Sequence, residues 1–353
     1  MRHKLLQVTL LHIGLAFSSL CQADDTAPPL PYSFGQGFRY GDYYLSGYTN
    51  IQMESPLGQP AKLSLGDLSF FIGGNSGRWL NPFTEIEFAR QTLLKQGGNP
   101  GHGNVVVERL YNDELLSNND TLRIGKMLTP LGDWNTVFAA PLVPTITRPN
   151  TTALGFETNE SGVTWMHNVQ DGETPDLQLY LQPDYEWFER LPRETLRHFQ
   201  NVYGAHINKP FGLIDKAGAS FQHGELVETG EEYTVYGVNV IRSFGNLMLE
   251  SEALTSRFYG RELPWAPPRL HSNESGIFGL ADYSFTEEWH GILEWERYQD
   301  HLVSAPSRNT LIGIDFKPKP YMVWKFEYVH QEGTPTSFAP ILTGLNCSFS
   351  TLF

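Results

Sequence analysis

Along most of the chain, apolar and polar residues alternate one by one. Leu45, Gly47, Thr49, Ile51 and Met53 are interleaved with Ser46, Tyr48, Asn50, Gln52 and Glu54, and Leu177, Leu179 and Leu181 with Gln178, Tyr180 and Gln182. Leu247 and Leu249 are set against Met248, Glu250 and Glu252, and Thr84, Ile86 and Phe88 against Glu85, Glu87 and Ala89. Trp289, Leu293 and Trp295 oppose His290, Glu294 and Glu296, while Met322, Trp324, Phe326 and Tyr328 oppose Val323, Lys325 and Glu327. Successive residues of a strand point to opposite faces, so this period of two gives each strand one greasy, aromatic face and one carrying carboxylates, amides and tyrosines. The runs predict about 16 strands, with 14–18 compatible, near 38–54, 61–73, 79–90, 104–112, 120–128, 160–169, 176–183, 199–209, 214–223, 231–243, 245–256, 275–285, 288–299, 309–317, 320–330 and 341–353.

The connections carry more information than the strands. Those after every second strand are short (Gly73–Arg78, Asp113–Asn119, Gln170–Pro175, Pro210–Ile214, Phe244, Thr286-Glu287 and Pro318-Lys319), and most of the others are longer, notably 129–159, 184–198 and 257–274. A soluble sandwich has no reason to sort loop lengths by parity. An outer-membrane barrel does, with short periplasmic turns and long extracellular loops. An even strand number then puts both termini at the periplasmic end.

The start of the chain reads as an export signal. Arg2 and Lys4 precede the apolar stretch Leu5 to Leu20, followed by Cys21-Gln22-Ala23 and then Asp24-Asp25, which predicts cleavage after Ala23. The mature chain then has 353 − 23 = 330 residues and, losing Arg2 and Lys4, a charge of −14 − 2 = −16. Beyond residue 23 no apolar run is long enough for a transmembrane helix. Charged residues make up only 18%, aromatics 13%, and the acidic balance disfavours a nucleic-acid partner, which needs a basic surface. Two cysteines, one of them in the signal, exclude a disulfide scaffold or a cysteine-based zinc site. The expected fold class is all-β: a transmembrane antiparallel up-and-down barrel over 24–353, with lipid outside and water within.

The chain ends Leu345-Asn-Cys-Ser-Phe-Ser-Thr-Leu-Phe353, so Phe349 and Phe353 share a face of a last strand that must pair with the first to close the barrel. Such an aromatic end resembles the assembly signal of Gram-negative outer-membrane proteins, which implies the barrel-assembly machinery as a partner. A second resemblance lies in Leu122-Arg-Ile-Gly-Lys-Met-Leu-Thr-Pro-Leu-Gly-Asp-Trp-Asn135, followed by Ala140-Pro-Leu-Val and Thr147-Arg-Pro149. It is similar to the R-x-G-K-x-x-T-P-x-G strand-to-loop segment of bacterial porins, including the phosphate-selective-porin-like group. The resemblance covers about thirty residues and implies a passive diffusion channel whose loop after this strand folds into the lumen. From the residues alone, the apolar, proline-rich stretch Phe138 to Pro149 is either packed against the inner wall or laid over neighbouring outer loops.

Charge on a pore wall sets ion preference. The parity puts Glu54, Glu85, Glu87, Glu250, Glu252, Glu294, Glu296 and Glu327 on the lumen side, against Arg123 and Lys325 and, less clearly, Arg109 and Arg90. Lys126, Asp133 and Arg148 lie in or beside the long loop. This acidic excess departs from the Arg/Lys ladder that phosphate selectivity needs, and predicts a weakly cation-preferring or unselective pore for small hydrophilic solutes or ions. Arg190, Arg193 and Arg197 at helical spacing could meet lipid or lipopolysaccharide phosphates, or form a plain exposed turn. No nucleophile, metal or phosphate-loop motif stands out, so the expectation is a non-enzyme without cofactor or metal. The competing readings are a barrel hydrolase and a structural or adhesive barrel. Homotrimer formation is left open.

Overall fold

The computed structural model describes residues 32–137, 139–169, 171–187, 198–212, 214–227, 229–259, 270–337 and 340–353. The expected signal segment, Phe138, Arg190, Arg193 and Arg197 lie outside them. A small hairpin comes first, β1 (Tyr32–Ser33) and β2 (Gly37–Tyr40). The wall then begins with β3 (Tyr43–Pro56), β4 (Lys62–Gly74), β5 (Pro82–Lys95), β6 (Asn104–Leu115) and β7 (Asp120–Leu128). It continues through β8 (Asn159–His167), β9 (Asp176–Gln182), β10 (Phe199–Pro210), β11 (Lys216–Leu226), β12 (Glu232–Phe244) and β13 (Leu247–Tyr259). Five more strands complete it: β14 (Asn273–Ser284), β15 (Trp289–Gln299), β16 (Ser307–Lys319), β17 (Met322–Gly333) and β18 (Gly344–Leu352).

Each of β3 to β18 pairs antiparallel with its sequence neighbours, and β18 pairs with β3 from Gly344↔Pro56 to Leu352↔Tyr48, so the 16 strands close into an up-and-down barrel. Closure leaves no unpaired edge, which a bilayer would not tolerate. Every predicted strand overlaps one strand of the wall, with ends displaced by up to five residues, as where 79–90 is expected and Pro82–Lys95 is found. One boundary is corrected: the expected first strand, 38–54, is broken by the two-residue turn Gly41-Asp42, so that β2 folds back on β3 with Tyr40 opposite Tyr43. The ladder also bulges at Asn201, which has positive φ.

Connections at one end of the barrel are two to eight residues long; at the other they run from five to thirty, the longest being 129–158 and 183–198. Both ends of the wall, the start of β3 and the end of β18, sit at the short-turn end.

The apolar faces point outward. Ile51, Met53, Leu179, Leu181, Leu249, Leu293, Trp295, Trp324 and Phe326 are all exposed, while their neighbours Asn50, Tyr180, Gln182, Glu250, Glu294, Glu296 and Lys325 are buried. This is the inside-out pattern of a lipid-facing wall around a polar interior. The interior also holds two apolar clusters that strict alternation does not lead one to expect. One gathers Leu131, Phe156, Tyr180, Phe199, Val235 and Leu254 among others; the second joins Trp134 to Phe278, Leu280, Ile292, Leu311 and Val329.

Candidate functional site

Residues 129–137 and 139–158, between β7 and β8, contact strands on the far side of a closed cylinder, so they run inside it. The neck of the segment is tied by the Thr129 amide donating to the Thr158 carbonyl (3.0 Å), and by the Asn135 side-chain amide donating to both carbonyls (2.8 and 2.9 Å). Pro130 and Gly132 end the strand. A 3₁₀ turn, Trp134–Thr136, follows, and a second, Asn150–Thr152, comes after Pro149. Arg148 joins the two limbs by donating to Asn135 Oδ1 (2.8 Å) and to Thr152 Oγ1 (3.2 Å).

The wall grips this segment mainly through charged side chains. The Glu252 carboxylate on β13 accepts the backbone N–H of Asp133 (2.6 Å) and Trp134 (2.8 Å). Glu296 on β15 accepts the N–H (2.7 Å) and hydroxyl (2.9 Å) of Thr151. Glu327 on β17 accepts the N–H of Ile146 and Thr147 (3.0 Å each) and the Thr147 hydroxyl. Lys325, two residues before it, donates to the carbonyls of Ala140 (2.7 Å), Val143 and Thr145 (3.4 Å). A backbone without regular structure must find partners for its amides and carbonyls; here acceptors and donors on alternate wall positions supply them.

Asp133 turns the other way, into a polar pocket. Its oxygens receive the side-chain amides of Asn208 (3.1 Å) and Asn239 (2.6 Å) and pair with Lys216 Nζ (2.7 Å). Trp134 packs edge-on against Phe278, ring centroids 5.6 Å apart.

The remaining expected residues fall as follows. Glu250 and Glu294 are buried on the inner face of β13 and β15 beside Glu252 and Glu296. Glu85 is buried on β5 and pairs with Arg109 (2.6 Å); Glu87 is buried one inward position further along. Arg123 on β7 forms a two-pronged pair with Asp113 (2.7 and 2.8 Å). Lys126, near the end of β7, is buried and pairs with Glu186 of the 183–198 connection (2.6 Å). Glu54 is half-buried and pairs with Lys62 (3.0 Å). Glu252, Glu296, Glu327 and Lys325 thus share one task, holding the segment; Glu85, Glu87, Arg109 and Arg123 form a separate group across the barrel on β5–β7.

Asn208, Lys216 and Asn239 are not marked out in the sequence, since single polar or basic residues on inner strand positions look like those of any other wet wall. Several gaps remain beside the segment, two of which bear on passage through the barrel. One, about 100 Å3, lies between Asn50, Gln52 and Asp67 of the wall and Arg148 of the segment. The other, about 320 Å3, opens near the short-turn end and is lined by Asp133, His167, Asp176, His206 and Lys216 among others.

Three solved structures share this architecture. OmpF of Salmonella typhi, in complex with daunomycin, superposes with a TM-score of 0.65 at 10% identity, covering 89% of this chain and 99% of that one. An anion-selective porin from Comamonas acidovorans gives 0.60 at 12% identity (88% and 99%). OmpT, an outer-membrane protein of Vibrio cholerae, gives 0.60 at 10% identity (90% and 99%). No family model and no curated protein matches the sequence. At such identities the likeness is one of fold alone, that of a closed antiparallel β-barrel.

Proposed function

We propose that the chain is an outer-membrane channel for passive diffusion of small hydrophilic solutes or ions, exported by segment 1–23 and built as one barrel domain over 24–353. The observation that carries this reading is the 129–158 segment laid across the interior of a closed barrel, which narrows the cylinder and leaves polar-lined gaps beside it. A structural barrel has no use for a constriction held by four charged wall residues. The resemblance of 122–149 to the porin strand-to-loop segment falls on this same stretch, which supports the reading. The outer face would meet membrane lipid and lipopolysaccharide, the last strand the barrel-assembly machinery, and further copies of the chain in a homotrimer.

Selectivity is read as weakly cationic or absent. On the inner wall of β3–β7, Glu54, Asp67, Glu85, Glu87 and Asp113 face Lys62, Arg109 and Arg123, so negative charge prevails. The hydrolase alternative has less behind it. Ser284 and Asp282 both approach the same Nδ1 of His290 (3.2 and 2.8 Å), so the imidazole cannot pass a proton from one to the other. Ser220, beside His206 Nδ1 (2.7 Å), is buried under the Gly132 amide.

The test is reconstitution into planar bilayers and liposomes. Stepwise conductance, swelling with small sugars that falls off with sugar size, and a reversal potential in a salt gradient near zero or weakly cationic are expected. A barrel that inserts but conducts nothing refutes the channel, and clear anion preference refutes the selectivity.

A further inference from the structure

On the outer face, β15 and β16 match side chain against side chain. Trp289 stands opposite Phe316, Leu293 opposite Ile312, Trp295 opposite Thr310 and Arg297 opposite Arg308. Phe316 is half-buried against Trp289, ring centroids 4.5 Å apart, and the others are exposed. The lower rungs are those of a lipid-facing wall: rings at the short-turn end, aliphatic side chains in the middle, Trp295 at the far edge. The top rung differs. Arg297 lies one outward position beyond Trp295 and Arg308 one beyond Thr310, where the apolar belt gives way to lipid headgroups.

Like charges directly opposite each other on antiparallel strands destabilise the pairing. Among the described residues neither guanidinium has an ion-pair or hydrogen-bond partner. Across its other ladder Arg308 faces Glu332, but that carboxylate is engaged by His330 Nε2 at 3.2 Å, and Arg297 faces Ile277. The chain as a whole is acidic, with a formal charge of −14, so the pair is not a sample of a generally basic surface. The Cβ atoms of directly opposed residues are about 5 Å apart, close enough for two arginines to grasp one phosphate. Arginine suits that task, since its planar fork meets phosphate oxygens through two parallel N–H bonds and keeps its charge throughout.

We infer that the outer face of β15–β16 is a seat for one phosphorylated glycolipid of the outer leaflet, its phosphate held between Arg297 and Arg308 and its acyl chains laid along Trp295, Leu293 and Ile312. The inference rests on the reading that this face meets lipopolysaccharide and gives that contact a place; it does not depend on whether the barrel conducts. The apolar rungs decide between a lipid and a free phosphate ion. An ion uses the two guanidinia alone, whereas a lipid also removes from water the exposed side chains directly below them. The headgroup phosphate then offsets the opposed charges that the strands carry without it.

The test titrates the full-length mature chain, folded in detergent, with lipid A and reads bound lipid by native mass spectrometry. Lipid A carrying its phosphates is expected to bind about tenfold or more tightly than the same lipid stripped of them, the scale of charge-assisted hydrogen bonds to one phosphate. The double variant Arg297→Gln/Arg308→Gln is expected to lose that difference. Arg242→Gln, at an outward arginine of the short-turn end already paired with Asp215 (3.1 Å), is expected to keep it. Because the opposed charges destabilise the strand pair, the double variant without lipid should melt no lower than the wild type. Equal binding by wild type and double variant overturns the seat and leaves the lipid-facing reading in place, whereas no lipid binding by the wild type overturns both. Displacement of lipid A by an equal concentration of inorganic phosphate assigns the pair to a free ion and overturns the lipid. A double variant that melts lower without lipid marks the pair as structural and also overturns the seat.

Discussion

Glu252 and Trp134, 118 positions apart in the chain, meet inside the barrel, where the carboxylate accepts the tryptophan's backbone N–H at 2.8 Å. The same oxygen takes the Asp133 amide at 2.6 Å. Glu252→Ala leaves both amides without their acceptor, at roughly 1–3 kcal/mol for each buried unpaired group. The wall ladder, built of backbone bonds, does not depend on this side chain. Single-channel recordings of the variant are therefore expected to show a larger and noisier conductance, while the folded barrel keeps its heat-modifiable gel mobility. Unaltered conductance would mean that the segment is held without Glu252.

Gly132 precedes these two amides with φ of +70°, and a Cβ there would fall 2.2 Å from Glu252 Oε2. Gly132→Ala carries the left-handed penalty of about 1–2 kcal/mol together with that collision. The variant is expected to loosen the same limb and to raise conductance as Glu252→Ala does. Because part of its cost is the clash with Glu252, its effect in the Glu252→Ala background should be smaller than in the wild type. Strictly additive effects in the double variant would separate the two residues.

How much of this was open to reading depends on where a residue's partners lie. Strand positions were legible because their partners are neighbours in the sequence and their faces follow from period two: Glu250, Glu294, Glu296, Lys325 and Glu327 all occupy the inner face that parity assigns them. The exceptional length of 129–158 was legible too. What parity could not give was the second partner of an inner residue. Glu327 finds Ile146 across 181 positions and Glu296 finds Thr151 across 145, distances over which no local pattern speaks. Phe278, Leu280, Ile292, Leu311 and Val329 break the polar-inside rule for the same reason, since they pack under Trp134 of the segment. The break at Gly41-Asp42 is hidden in the sequence by aromatic, strand-like residues on both sides.

At the short-turn end, outside the bilayer-spanning strands, Asp171 accepts the Thr174 hydroxyl (2.6 Å) and the backbone amides of Thr174 (2.7 Å) and Glu173 (2.8 Å). These bonds favour the ionised form, the Thr174 hydroxyl most of all, and hold the carboxyl down at about 2. A depressed folded pKa means that the contribution to the turn is fully present above the unfolded value of about 3.9 and is lost as pH falls towards 2. Carboxyl carbon NMR of the aspartate-labelled protein in micelles should show the low midpoint, and Thr174→Val should move it up towards the ordinary aspartate range. A midpoint unmoved by Thr174→Val would leave the backbone amides as the whole cause.

The closing seam separates two roles for the last aromatic residue. Phe353 continues the ladder past β18: its N–H donates to the Gly47 carbonyl (2.9 Å) and its carbonyl accepts the Gly47 N–H (3.0 Å), while its ring meets Phe70 edge-on at 5.8 Å. Phe349 lies against Trp324 at 4.5 Å on the outer face. Deleting Phe353 removes two backbone bonds at the seam, whereas Phe353→Ala keeps both and removes only the ring. Folding from urea into detergent, which involves no cellular factor, should therefore be slowed by the deletion and little changed by Phe353→Ala. If the terminal ring is also read by assembly machinery, both variants should accumulate less folded barrel in cells, with Phe349→Ala costing only its ring contact, about 0.5–1.5 kcal/mol. Full cellular assembly of Phe353→Ala would assign the terminal residue to barrel closure alone.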